Sequence, residues 1–92
     1  MWYVYILECR GKALYVGITD DVERRFEEHL SGNGGRYTAS NRPVKILYKE
    51  EFSEKFQAER RESQIKRWSQ AKKLALINGD FKLLKALSVS KD

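Results

Sequence analysis

Two short segments rich in β-forming residues lie near the start of the chain, and each carries a tyrosine. Tyr3-Val4-Tyr5 and Tyr15-Val16-Gly17 are separated by Cys9-Arg10-Gly11-Lys12, a sequence typical of a tight turn. Strands joined by so short a turn pair with each other in antiparallel fashion. Residues 2–8 and 13–18 are therefore predicted to form a hairpin. If its two tyrosines share a face, the hairpin presents neighbouring phenol hydroxyls.

Caps, glycines and apolar periodicity predict the remaining elements. These are a helix over 22–30, a loop over 31–42, a third strand over 44–52, a helix from 54 to 69 or beyond, and helices over 72–77 and 81–87. The order ββαβααα predicts one small α/β domain over residues 1–87, with a three-stranded antiparallel or mixed sheet flanked by helices. Residues 88–92 are expected to form a frayed tail.

Charge and cysteine content limit which partners and which kinds of site the protein can have. The net charge is +5, from 18 Lys and Arg against 13 Asp and Glu, which suits a polyanionic partner such as nucleic acid. Cys9 is the only cysteine, which excludes an internal disulfide and a cysteine-based zinc site. We identify no signal peptide and no apolar run long enough to cross a bilayer. A cytoplasmic protein is therefore expected.

Polar residues border the apolar stripe of the first predicted helix. Val22, Phe26 and Leu30 recur at helical spacing and face inward. Arg25 and His29 flank that stripe and share one side of the helix. Because the helix is otherwise acidic, Arg25 is a local point of positive charge rather than part of a basic surface.

A carboxylate interrupts the apolar stripe of the long helix. Ala58, Ile65 and Trp68 trace the stripe, and Glu62 falls between them. A carboxylate on an inward face is costly unless a cation, a metal ion or a hydrogen bond satisfies it. Glu62 is therefore a candidate metal ligand.

Each of these residues also has a purely structural interpretation. The two tyrosines fit as amphipathic sheet residues. Arg25 fits as a side chain in a salt bridge, and His29 fits as a histidine on the helix surface. Glu62 fits as the partner of a structural arginine. Only their combination is typical of a site that cleaves phosphodiesters.

Taken in order, the motifs resemble those of the GIY-YIG nuclease superfamily, and most closely its small single-domain bacterial members. Tyr3-Val4-Tyr5 stands in the place of the first motif and Tyr15-Val16-Gly17 in the place of the second. Arg25 matches the family's helix arginine, His29 follows one turn later, and Glu62 matches the metal-binding glutamate. The similarity extends over about residues 2–78, and it includes the segment from Gly35 to Val44.

The resemblance implies a metal-dependent endonuclease that hydrolyses nucleic-acid phosphodiesters, in DNA more than in RNA, and that serves DNA repair or processing. The implied catalytic residues are Tyr5, Tyr15, Arg25, His29 and Glu62. Glu62 would hold one Mg²⁺ or Mn²⁺, and the implied nucleic-acid contacts are Arg36, Tyr37, Arg42 and Lys66. No membrane and no small-molecule cofactor are expected, and the chain is expected to be a monomer.

Two other functions remain open on the same fold. One is a nucleic-acid-binding module with little or no catalysis, since the small size leads us to expect no additional targeting domain. The other is a protein-interaction adaptor that uses the basic surface of the long helix, formed by Lys55, Arg60, Arg61, Lys66 and Arg67.

Overall fold

A three-stranded antiparallel sheet forms the centre of the computed structural model, which describes residues 1–88 except for the side chains of Arg36 and Ala39. The strands are β1 (Trp2–Cys9), β2 (Leu14–Thr19) and β3 (Pro43–Phe52). The helices are α1 (Val22–Leu30), α2 (Arg36–Ser40), α3 (Lys55–Lys66), α4 (Gln70–Ile77) and α5 (Phe81–Ser88). β1 lies between β2 and β3 and pairs antiparallel with both. The predicted fold class is confirmed.

The hairpin forms because its turn residues adopt backbone angles that most residues avoid. Arg10–Lys12 make a short 3-10 turn, in which Gly11 has φ 76° and Lys12 has φ 64°. Glycine enters this left-handed region without the steric cost of a Cβ. The Cys9 N–H donates to the Ala13 carbonyl at 2.7 Å, which closes the turn. Cys9 itself belongs to β1 rather than to the predicted turn.

Alternation along the strands divides the buried side chains between the two faces of the sheet. On one face, Val4, Ile6 and Val16 pack against Ala58 and Ile65 of α3. The buried residues of the opposite face are Tyr5, Leu7, Cys9 and Val22, the last of which begins α1. Helices α3 and α1 therefore cover opposite faces, and the side chain of Tyr5 lies on the face covered by α1.

Part of the segment predicted as a loop is helical. Residues Arg36–Ser40 form α2, so the loop prediction was wrong there. A polar segment of five residues has no apolar periodicity from which a helix can be predicted. Tertiary contacts fix this helix instead, because Thr38 is only 1% exposed and hydrogen-bonds to a residue of α1.

The long helix predicted from residue 54 to 69 or beyond is shorter than expected, and the separately predicted helix over 72–77 begins earlier, at Gln70. α3 begins where expected, and the Glu54 backbone N–H donates to Gln57 Oε1 at 3.0 Å in a capping box. It ends at Lys66, and α4 begins after Ser69. The Ser69 hydroxyl accepts a hydrogen bond from the Lys72 N–H at 3.2 Å, which is the usual role of serine at a helix start.

The C-terminal helix extends one residue into the predicted tail. α5 ends at Ser88, and residues 89–92 of that tail lie outside the described residues. Within residues 1–88, no helix has both the length and the apolar character needed to span a bilayer.

Candidate active site

The two tyrosines of the hairpin lie on the same face of the sheet. Tyr5 in β1 is opposite Gly17 in β2, and Tyr15 lies two residues before Gly17 on the same strand. Side chains two residues apart in a strand point to the same face, so Tyr15 is the diagonal neighbour of Tyr5. The ring centroids are 6.2 Å apart. The hairpin therefore does present neighbouring phenol groups on one face.

Gly17 provides the space that Tyr5 occupies. A Cβ at position 17 would lie 2.6 Å from the Tyr5 hydroxyl oxygen and 3.1 Å from the nearest ring carbon of Tyr15. The first distance is far shorter than the roughly 3.5 Å at which non-bonded heavy atoms attract each other. The glycine of the second motif is thus required by the packing of the Tyr5 side chain across it.

His29 is buried beside the tyrosines. It lies in the last turn of α1 and is 1% exposed, so the interpretation of His29 as a surface histidine was wrong. Its Nε2 is 2.9 Å from the Tyr5 hydroxyl, and its Nδ1 is 2.7 Å from Thr38 Oγ1. Tyr5, His29 and Thr38 form a continuous chain of hydrogen bonds, which we call the buried relay.

Two residues that hold His29 in place were missed from the sequence. Thr38 is one, because a threonine in a polar segment carries no periodic pattern that marks it as buried. Gly34 is the other: a Cβ there would overlap the imidazole and lie 2.6 Å from the His29 Cα. The glycine-rich loop was the available clue, since glycine allows a close approach of backbone and side chain.

Two aromatic contacts hold the ring of Tyr15. Tyr37 of α2 stacks on it, with the centroids 5.8 Å apart and the planes inclined by 23°. The imidazole of His29 meets it edge-on at 5.0 Å between centroids. Tyr37 is 43% exposed, so the residue predicted to contact nucleic acid lies at the surface beside Tyr15.

Arg25 lies one turn before His29 on α1. Its Nη1 donates to Glu28 Oε1 at 2.8 Å, and its Nη2 donates to the Gly34 carbonyl at 2.9 Å. Its side chain is 30% exposed. The salt bridge suggested as its structural interpretation is present. The same guanidinium is close to the relay, because the Gly34 it contacts packs against His29. Its positive charge opposes the burial that raises the pKa of Tyr5 and adds to the burial that lowers the pKa of His29.

Burial favours the uncharged forms of Tyr5 and His29. Burial raises the pKa of Tyr5 well above its usual value, the charge of an ionised Tyr15 would raise it further, and Arg25 opposes both effects. Burial also lowers the pKa of His29, and the positive charge of Arg25 adds to that. A neutral imidazole has one donor and one acceptor nitrogen. His29 can therefore donate to one of its two partners in the buried relay and accept from the other.

We expect the stability of the protein to decrease as the pH falls below the pKa of a free imidazole. The pKa of His29 is lowered in the folded state, so the unfolded chain binds a proton near pH ~6.5 while the folded chain does not. The stability that His29 contributes is complete above about pH 6.5 and is lost as the pH falls toward its folded-state pKa. The free energy of unfolding should change by up to about 1.4 kcal/mol per pH unit in this window.

Urea denaturation between pH 7.5 and pH 5, together with NMR titration of the imidazole, measures this effect. His29 is the only histidine in the chain, so its signals are unambiguous. The His29→Gln variant is the control, because its stability should vary much less over the same range. An imidazole that titrates in the folded protein like a free one would contradict the expectation.

Glu62 lies apart from the contacts that join the tyrosines, Arg25 and His29. Its side chain is 20% exposed, and its Oε2 is 3.1 Å from Lys66 Nζ. The partner is thus a lysine rather than the arginine of the structural interpretation. Among the described residues, no hydrogen bond or ion pair connects Glu62 to the tyrosine face. α3, which carries Glu62, packs on the other face of the sheet.

Helix geometry shows which edge of the sheet Glu62 faces. Each residue turns ~100° around a helix, so Glu62 lies about 60° to one side of the inward Ile65 and Arg61 about 40° to the other side. Arg61 Nε donates to Glu50 of β3 at 2.9 Å, so its side of α3 faces β3. The opposite side, with Glu62, faces the edge formed by β2, the strand that carries Tyr15.

Comparison with known proteins identifies the domain. The GIY-YIG catalytic domain model matches residues 1–75, most of the chain. The chain belongs to the GIY-YIG family. This is a nuclease family, and its catalytic domain implies a nucleic-acid substrate.

The similar proteins carry the name UPF0213. A UPF0213 protein of Cupriavidus necator is 50% identical over 74 residues, which are 80% of each chain. One of Staphylococcus haemolyticus is 47% identical over 75 residues, 82% of this chain and 92% of that one. The solution NMR structure of a UPF0213 protein from Bacillus halodurans is 40% identical, with a TM-score of 0.55, and the match covers 85% of this chain and 84% of that one.

Two of the remaining predicted nucleic-acid contacts of this GIY-YIG domain, Arg42 and Lys66, lie at its surface. Arg42 is exposed and its Nη2 donates to the Leu30 carbonyl at 3.1 Å, at the end of α1. Lys66 is exposed on α3 and pairs with Glu62. The side chain of Arg36 lies outside the described part of the structure, so its predicted role stays a prediction.

The donor set of this GIY-YIG domain suits a hard ion with few protein ligands. Among the described residues there is no group of three or more His, Cys, Asp or Glu side chains placed to hold a metal ion. Glu62 offers one carboxylate, partly exposed beside the β2 edge. Mg²⁺ is commonly bound through one or two carboxylates and keeps several waters, so a single carboxylate at the surface is compatible with it.

Proposed function

We propose that this protein is a divalent-metal-dependent endonuclease that hydrolyses phosphodiester bonds, in DNA in preference to RNA. One observation carries the proposal: Tyr15 contacts the buried Tyr5–His29 pair, and Arg25 bonds to the Gly34 backbone that packs against His29. A histidine and a tyrosine whose uncharged forms are favoured by burial, next to a partly exposed arginine and a second tyrosine, combine proton transfer with phosphate binding.

The two tyrosines have different roles in this proposal because their environments differ. Tyr5 is 1% exposed and its pKa is raised, so it keeps its proton and acts through its hydrogen bond to His29. Tyr15 is only half-buried and belongs to the edge strand β2, where a substrate can reach it. We assign the role of general base to Tyr15.

In the proposed reaction, the Tyr15 phenolate takes a proton from a water whose oxygen attacks phosphorus. The bond between phosphorus and the leaving oxygen breaks, and that oxygen takes a proton from solvent. Only about one free tyrosine in a thousand is ionised at neutral pH. Positive charge near the Tyr15 hydroxyl is therefore needed to increase the ionised fraction. In the proposal, Arg25 supplies positive charge on this side of the site, since it lies one turn before His29 on α1 and the His29 ring contacts Tyr15.

Arg25 is suited to hold the scissile phosphate. A guanidinium has five N–H donors and a permanent charge. The contacts with Glu28 and Gly34 use one donor on each of its two terminal nitrogens, so donors remain for phosphate oxygens. These contacts also restrict the guanidinium to one position, so it needs little rearrangement to bind a phosphate.

Glu62 would hold one Mg²⁺ or Mn²⁺ at the β2 edge. Bound there, such an ion supplies positive charge to the phosphate and lowers the pKa of a coordinated water. His29 keeps the Tyr5 hydroxyl oriented, and through Thr38 it connects that hydroxyl to α2. α2 also carries Tyr37, which stacks on Tyr15, so one short helix supports both tyrosines.

A cleavage screen tests the proposal. Purified protein is incubated with Mg²⁺ or Mn²⁺ and with single-stranded, duplex and branched DNA and the corresponding RNA, and the Glu62→Ala variant serves as control. We expect metal-dependent cleavage of at least one DNA substrate that is absent from the control. Salt-sensitive binding without cleavage of any substrate would favour a nucleic-acid-binding module instead.

A further inference from the structure

A groove lined by arginines lies between α3 and the end of β3. It encloses about 470 Å³. Its lining residues are Phe52, Gln57, Arg60, Arg61, Gln64 and Arg67, and we call it the arginine groove. Five of the six recur along one side of α3 or just beyond its end, and Phe52 is the last residue of β3.

The arginine groove is separate from the candidate active site. Phe52 packs against the core cluster that contains Val4 and Ile6, on the face of the sheet that α3 covers. Tyr5 and Tyr15 of the candidate active site lie on the opposite face. On α3 itself, the groove occupies the side that faces β3, whereas Glu62 faces β2. A ligand in the groove therefore does not occupy the site around Tyr15.

The groove carries uncompensated positive charge. Three of its lining side chains are guanidiniums and none is a carboxylate. Arg61 is neutralised by Glu50 at 2.9 Å, held by Gln64 Oε1 at 2.7 Å, and lies 5.3 Å from the centre of the Trp68 ring. Arg60 and Arg67 are exposed, and neither forms an ion pair with a carboxylate of the described residues. The two outer arginines are thus available for an anion.

The lining chemistry matches a nucleotide unit rather than a bare anion. Guanidiniums bind phosphate oxygens in bidentate fashion. The partly buried ring of Phe52 offers a flat surface on which a base can stack. The amide NH2 groups of Gln57 and Gln64 offer donors to a base edge, while their oxygens already accept from Glu54 and Arg61. A volume of 470 Å³ lies within the range of small-ligand pockets. In a duplex the bases are stacked on each other, so this surface is useful only for an unpaired strand.

We propose that the arginine groove binds a single-stranded segment of nucleic acid, with Arg60 and Arg67 on its phosphates and an unpaired base against Phe52. The proposal rests on the proposed function in that both take nucleic acid as the ligand. It adds a second contact on the opposite side of the sheet from the scissile bond. The segment held there belongs to a different part of the substrate, such as an unpaired arm.

Binding of a fluorescent single strand of twelve nucleotides, measured by anisotropy without metal, tests the proposal. The variant is Arg60→Ala with Arg67→Ala. The matched control is Lys82→Ala with Lys85→Ala, which removes the same charge from exposed positions on α5. We expect the arginine variant to bind at least roughly tenfold more weakly, since the loss of a single charge-assisted hydrogen bond already has that effect, and the control to bind within about twofold of wild type.

Two further measurements sharpen the test. The slope of log affinity against log salt should decrease in magnitude by about 1.4 for the arginine variant, since each phosphate contact on a single strand contributes ~0.7. An abasic strand of equal length should bind wild type more weakly than the normal strand. Equal binding by the two double variants overturns the proposal, and so does equal binding of the abasic strand. Because no metal is present and no cleavage is measured, the result does not depend on whether the protein is an active nuclease.

Discussion

Replacement of Tyr15 by phenylalanine is expected to slow cleavage by roughly 10²- to 10⁴-fold, the usual contribution of a positioned general base. The substitution removes one oxygen and keeps the ring that stacks on Tyr37 and meets His29 edge-on. Tyr15 is only half-buried, so the free energy of unfolding should change by less than about 0.5 kcal/mol. The measurement compares single-turnover cleavage rates at saturating metal with urea denaturation of the same preparations.

Tyr5→Phe is the matched comparison, and it should show a different pattern. The Tyr5 hydroxyl is buried and hydrogen-bonded to His29 Nε2, so its loss leaves a buried polar atom without a partner. That costs about 1–3 kcal/mol of stability. Cleavage by the Tyr15→Phe variant at the wild-type rate would show that Tyr15 is only a packing residue. Equal losses of stability in the two variants would show that the hydroxyls of Tyr5 and Tyr15 do not differ in burial as described.

The hairpin and its tyrosines were predictable because local rules determine them. A short turn between two β-forming segments fixes the antiparallel pairing, and the period of two residues fixes which side chains share a face. The positions of Arg25 and His29 beside the stripe of α1 follow in the same way from the 3.6-residue period. These features depend on residues close together in sequence, so the sequence alone was sufficient.

The contacts that complete the site depend on residues distant in sequence. α2 has no pattern of its own, yet its Thr38 anchors His29 and its Tyr37 stacks on Tyr15. The burial of His29 likewise needs the space left by Gly34, which only the folded chain shows. The side of α3 on which Glu62 lies became clear from the ion pair of Arg61 with Glu50 of β3, a contact that no local rule predicts.

Glu62→Gln is expected to reduce metal-dependent cleavage by at least about a hundredfold and to weaken binding of Mg²⁺ and Mn²⁺. The substitution keeps the shape of the side chain and removes the negative charge that a hard cation requires of its ligand. The fold should survive, because the Glu62–Lys66 pair is partly exposed, and such pairs contribute less than about 1 kcal/mol. The Glu62→Ala variant used in the cleavage screen should behave in the same way.

Glu59→Gln is the matched control for this prediction. Glu59 is exposed on α3, one turn before Glu62 and on the same side of the helix relative to Ile65, but farther from the sheet. Glu59→Gln removes the same negative charge as Glu62→Gln. If the ion were attracted only by the total charge of α3, both variants would bind it equally weakly. A specific ligand role for Glu62 requires that Glu59→Gln keep nearly wild-type affinity for the metal and nearly wild-type cleavage.

NMR with substoichiometric Mn²⁺ tests the location of the ion independently of catalysis. In the wild type, the amide signals of residues 59–66 and of β2 should broaden before those of β3 and α5, because Glu62 faces the β2 edge of the sheet. In Glu62→Gln this order should disappear, and in Glu59→Gln it should persist. Unchanged broadening in Glu62→Gln would remove Glu62 from the metal site. Early broadening of β3 would contradict the orientation inferred for α3, since that side of the helix carries Arg61 and the arginine groove.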